Sequence, residues 1–213
     1  MTLLFPKWTN KLPQLIGALV VAGGGAVTFV IGFWFSPKHI EVGYAPDQPV
    51  AYSHKLHAGL LGLDCRYCHQ NVDHSPHASV PDTNTCMNCH GNVRTDSEKL
   101  QLVRDSAAEG KPIPWVKVHM LPQYAYFNHA AHVRVGVGCA SCHGRVDQME
   151  VVRQVEPLSM GWCLECHRAP ENHLRPLEDV TKMEGYVHDL ARALRIKEEK
   201  KINPPTHCSG CHR

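Results

Sequence analysis

Along the first forty residues the polar pattern stops and restarts once. From Leu15 to Phe35 the chain reads "LIGALVVAGGGAVTFVIGFWF", 21 residues without a charge, long enough to cross the hydrocarbon layer as one helix. On a helical wheel, Ile16, Val20, Val27, Val30, Ile31 and Trp34 share a bulky face. Ala18, Ala22, Gly24, Gly25, Ala26, Thr28 and Gly32 spread over the other side, where small residues let a partner helix approach closely. Lys7, Lys11 and the terminal amine precede the run. The positive-inside rule therefore expects an inside amino end and the bulk of the chain outside the cytoplasmic membrane. A cleaved signal peptide is the competing reading, but the apolar run continues well past the small residues at Gly23 to Ala26.

Beyond residue 37 the periodicity is short and broken. The polar stretch 95–111 suits a short helix. After Pro176, Leu177, Val180, Met183, Val187, Leu190 and Leu194 mark one side of another, although Gly185 weakens its continuity. "PIPWVKVHMLP" is bounded by prolines and reads as extended, with Trp115, His119 and Leu121 on one side by period two. The net charge of +2 and the lack of a basic run give no sign of nucleic acid.

The cysteines change this picture. All ten fall into five C-x-x-C-H units: Cys65/Cys68/His69, Cys86/Cys89/His90, Cys139/Cys142/His143, Cys163/Cys166/His167 and Cys208/Cys211/His212. In a c-type haem site two thiols bond the vinyl groups, and the adjacent histidine ligates the iron. Zinc ribbons and disulfides need no histidine fused to every pair. With 16 histidines in 213 residues, five fused by chance is on the order of one in several hundred thousand. Five covalent haems c are thus expected, each with only roughly 35 residues around it. The expected fold class is a mostly irregular and α-helical multihaem cytochrome c in which macrocycles supply the apolar core. Residues 1–37 are expected to form a cytoplasmic stub and anchor helix (about 15–35), and residues 38–213 the haem domain.

A repeat organises that domain. "YSHKLHAGLLGLDCRYCH" (52–69) aligns with "FNHAAHVRVGVGCASCH" (127–143), and each is followed by a further motif. Two di-haem halves, about 44–93 and 115–170, plus a terminal site at 206–213, are expected. His54, His57, His129 and His132 form the F/Y-x-H-x-x-H pattern of class III multihaem cytochromes. That resemblance implies that the first histidine caps the nearby haem and the second caps another. If every iron has two histidines, a fifth distal ligand must come from His39, His74, His77, His119, His173, His188 or His207. His119 is the choice, since an extended apolar strand can slide a ligand between macrocycles. Met120 and Met160 are the methionine alternatives.

The strings "YSHKLHAG", "HASVPDTNTCMNCHG", "PWVKVHMLPQYAYFNHAAHV", "GVGCASCHG" and "LSMGWCLECHR" together resemble the pentahaem cytochrome c subunit of alternative complex III, a bacterial quinol-oxidising respiratory complex. The likeness covers roughly residues 44–170, the terminal "CSGCHR" and the single anchor. It implies a non-catalytic electron-transfer subunit beside polytopic quinol-binding subunits, an iron–sulfur subunit and a monohaem cytochrome c, delivering electrons to a soluble acceptor or terminal oxidase. The anchor itself has no histidine, acid or tyrosine to take quinol protons. Two rivals are a catalytic multihaem reductase, which needs an open iron, and a single-anchor tetrahaem quinol dehydrogenase. The latter's C-x-x-C-H-x-M signature is absent: Gln70, Gly91, Gly144, Arg168 and Arg213 follow the five motifs.

Overall fold

The computed structural model describes residues 5–212. The first four residues of the expected stub, and Arg213 of the expected terminal site, lie outside them. The chain divides into two units, residues 1–41 and residues 42–213.

In the first unit a 3-10 turn, Lys7–Lys11, leads into helix α1, Leu12–Trp34. Pro13 sits in its first turn, where a missing N–H costs nothing. The helix thus starts one turn earlier than the uncharged run suggests. No side chain of α1 is buried. The Thr28 hydroxyl donates to the Gly24 carbonyl at 2.8 Å, and Phe29 stacks on Phe33 at 5.4 Å. Lys7–Trp34 is long and apolar enough to cross a membrane. A single short turn, α2 (Pro37–Ile40), follows.

The second unit is built of short helices: α3 (Cys65–Cys68), α4 (Thr83–His90), α5 (Gln101–Glu109), α6 (His129–Val135), α7 (Ala140–His143), α8 (Met160–Arg168), α9 (Leu190–Glu199) and α10 (Cys208–Cys211). A π-helical turn, Lys55–Leu60, precedes α3. Among the described residues, pairing of extended chain is limited to one antiparallel bridge, Val137 with Leu174. Local sequence starts most of these helices. Asp64, Asp82, Asn128, Ser159 and Asp189 each accept a backbone N–H from the first turn of α3, α4, α6, α8 and α9, satisfying donors that a helix start leaves free.

Apolar side chains gather in small, separate clusters. Val50, Val103 and Ile113 are buried together, with Cys86, Met87, Leu100 and Trp115 against them, which seats α4 on α5. Leu174 and Val180 are fully buried elsewhere. There the backbone also closes: Arg175 N–H donates to the Gly136 carbonyl, and Cys139 N–H to the Val180 carbonyl.

The helix expected in 95–111 is α5, preceded by a 3-10 turn at Glu98–Leu100. Residues 111–118 carry no helix, as the prolines require. The single helix expected after Pro176 does not form. Leu177–Asp179 is a 3-10 turn, Gly185 takes φ +69°, and α9 begins only at Leu190. A left-handed residue ends any right-handed helix that reaches it.

Candidate haem-binding sites

Each C-x-x-C-H unit sits on a helical turn, where residues three apart share one side. The five turns are α3, α4, α7, α8 and α10. All ten thiols are free, available for thioether bonds.

The histidines meet across space in specific pairs. The ring of His57 lies 6.2 Å from that of His90, His129 lies 6.4 Å from His143, and His132 lies 6.1 Å from His167. A metal held between two imidazole nitrogens at about 2 Å each sets the ring centres about 6 Å apart. Each pair joins one histidine of a F/Y-x-H-x-x-H segment to one histidine of a C-x-x-C-H unit. The His129 and His143 rings are also nearly parallel, at 11°. His69 and His57 are near enough to His54 to disfavour its protonation.

Seven of the candidate ligand rings are held the same way. The Nδ1–H of His57 donates to the Ser53 carbonyl at 2.9 Å, His69 to Ser79 at 2.8 Å, and His90 to Val93 at 3.1 Å. His129 donates to Pro76 at 3.0 Å, His132 to Asn128 at 2.8 Å, His167 to Pro205 at 2.7 Å and His212 to Tyr124 at 3.0 Å. A carbonyl can only accept, so Nδ1 carries the proton and Nε2 keeps its lone pair. A carbonyl bound to the far nitrogen in this way orients metal-binding histidines. The residues present therefore fit a six-coordinate haem iron.

Burial works in the same direction. It lowers the pKa of His54 to about 4 and that of His143 to about 3, with the neighbouring histidines adding to the effect. His119, His129 and His132 are lowered mainly by the same cause. These imidazoles stay neutral at neutral pH, the form in which Nε2 binds metal. Among the thiols, burial pushes Cys142 up to about 12. The Cys65 thiol beside it, and then burial, push Cys139 up as well.

One orienting device was not assigned from sequence. Tyr52 and Phe127 occupy the aromatic position that opens the two repeats, and they pack alike. Tyr52 meets His54 edge-on at 84° and lies over His57 at 21°, while Phe127 meets His129 at 85° and lies over His132 at 30°. One ring thus sets two imidazoles at different angles. The repeat itself was the signal; its geometric meaning needed three dimensions. The carbonyl partners Ser79, Val93, Pro205 and Pro76 had no sequence signal.

His119 is half-buried, its Nε2 has no hydrogen bond, and its ring meets His143 edge-on at 4.4 Å. By contrast, His188 commits its Nε2 to the Glu171 carbonyl, and the His39 Nδ1 pairs with the Ser36 hydroxyl. The ring beside His212 is that of Tyr124, at 5.8 Å.

Residues 125–213, less than half of the chain, match the family model of cytochrome c7 and related cytochrome c. The matched stretch holds His129, His132 and the last three C-x-x-C-H units. A curated relative, the multiheme cytochrome c subunit of a menaquinone reductase from Nitratidesulfovibrio vulgaris, is 33% identical over 128 residues. The aligned part is 60% of this chain and 59% of the relative. The chain is thus similar to multihaem cytochromes c, which transfer electrons.

Proposed function

We propose that this chain is a membrane-tethered pentahaem electron-transfer subunit of a quinol-linked respiratory complex, of the alternative complex III kind. The observation that carries the reading is the set of three histidine pairs at 6.1–6.4 Å. They join residues that the sequence nominates as ligands on independent grounds. When bound, haem c supplies reversible one-electron exchange.

The work of the chain's own residues is to hold that group. Cys65 and Cys68, Cys86 and Cys89, Cys139 and Cys142, Cys163 and Cys166, and Cys208 and Cys211 anchor it covalently. His69, His90, His143, His167 and His212 ligate one face, and His54, His57, His129 and His132 the other. His119, with its free buried Nε2, is the fifth distal ligand. The segment that carries it runs on to the last site, where the His212 Nδ1–H donates to Tyr124 O and the Tyr126 N–H donates to Cys211 O. The carbonyl-bound Nδ1–H groups fix tautomer and tilt, and burial keeps protons from competing for Nε2. Helix α1 holds the domain at the outer face of the cytoplasmic membrane with its amino end inside. Quinol chemistry belongs to partner subunits, because α1 offers no proton-accepting side chain.

A second reading has a specific basis. The relative is named for menaquinone reduction, so the same wire can serve electron flow toward a quinone, or feed a periplasmic reductase. The test is gentle detergent purification of the native complex, identification of co-purifying chains, and assays of quinol oxidation and quinone reduction. Polytopic and iron–sulfur partners with quinol oxidation are expected. A chain that purifies alone and neither exchanges electrons with quinols nor with quinones overturns the proposal.

A further inference from the structure

We propose that the five attachment sites follow a spatial order different from their order in the chain. From one end to the other they run Cys86–His90, Cys65–His69, Cys139–His143, Cys163–His167, Cys208–His212, so the first and second motifs exchange places. This rests on the multihaem reading above.

Each link has its own contacts. The first joins the second motif to the first. His54 and His57 leave one turn; the His57 ring faces His90 at 6.2 Å, and His69 is a neighbour of His54. Asn88 on α4 donates to the Tyr67 hydroxyl on α3 at 3.2 Å. The second link joins the first motif to the third. The Cys65 and Cys139 thiols are close neighbours. Beside them the Thr181 hydroxyl donates to the Asp64 carboxylate at 2.8 Å, while Val180, its chain neighbour, accepts the Cys139 N–H at 2.9 Å. Residues 180–181 therefore clamp the two motif starts together.

The third link is α6. It presents His129 to His143 and, three residues on, His132 to His167. Cys142 is also a neighbour of Cys163 and Cys166. The fourth link runs through Pro205. Its carbonyl accepts the His167 Nδ1–H at 2.7 Å, and its ring packs on Gly210 inside the last motif. Cys163 is in turn a neighbour of Cys211. Along these contacts the second motif meets the first, the first the third, the third the fourth and the fourth the fifth.

The order matters for docking. A linear array exchanges electrons with partners most readily at its ends, and here these are the second and the fifth motifs. A chain-order array would instead end at Cys65–His69.

Iron positions in the full-length holoprotein in detergent, located by anomalous diffraction at the iron edge or by electron cryomicroscopy, test this directly. The expected result is that the iron on His69 lies between those on His90 and His143, and that the two most distant irons are those on His90 and His212. Five irons with the His90 iron nearer than the His69 iron to that on His143 overturn the order and leave the multihaem reading standing. A denatured-protein mass without the haem increments overturns both.

Discussion

An imidazole ring has two nitrogens, and at seven histidines of this protein one of them is bound to a carbonyl, which leaves the other free to accept a metal. His119 departs from that pattern: its buried Nε2 has no partner and its ring is wedged against His143. In the holoprotein, His119→Ala is expected to turn one haem of five high-spin, or to let that haem bind added imidazole. An unchanged low-spin spectrum moves the assignment elsewhere. Tyr52 and Phe127 can be tested in the same way. Removing the ring in Phe127→Ala frees both His129 and His132, so the low-spin signals of two haems should broaden, which electron paramagnetic resonance would resolve. A change confined to one haem would mean that the shared ring does not orient both ligands. Backbone positions are equally specific. Gly136 takes φ +106° and lies against the Arg175 carbonyl, where a Cβ has no room. Gly136→Ala should destabilise the fold by about 1–3 kcal/mol, seen as a lowered thermal midpoint with the haem content retained; an unshifted midpoint would refute the strain.

At the scale of elements, what the sequence made legible was whatever is encoded locally. The C-x-x-C-H turns, the capped helix starts and the apolar α1 can all be read from residues within a few positions of each other. The break after Pro176 was harder, because period and glycine disagreed: six apolar residues kept helical spacing while Gly185 adopted a left-handed backbone. Backbone geometry outweighed spacing, since one residue in that region ends a helix whatever side its neighbours occupy. For α1, the small residues Ala22 and Ala26 lie on the side proposed to meet partner helices. Ala22→Leu with Ala26→Leu should crowd that contact and reduce recovery of the assembled complex in mild detergent. Unchanged assembly would leave α1 as an anchor alone.

For the whole molecule, the sequence told which histidines are ligand candidates but not which face each other. His57 to His90 and His132 to His167 each span more than thirty residues, and nothing in either local string encodes the partner. The pairings come from how α6 and the Lys55–Leu60 turn are held over distant motifs, for example by His129 N–H and Nδ1–H on the single carbonyl of Pro76. That arrangement has a consequence for reactivity. If each iron takes an imidazole on both faces, no coordination position is open to a small ligand, and the protein carries electrons without reducing a substrate at iron. Carbon monoxide binds reduced haem only where a position is free or readily vacated. The reduced, undamaged protein should therefore show no rapid change in its Soret band on mixing with carbon monoxide. The site to watch is the last one, where the ring beside His212 is Tyr124. A fast carbon monoxide complex amounting to one haem in five would place an open iron in the chain and favour the multihaem reductase over the wire.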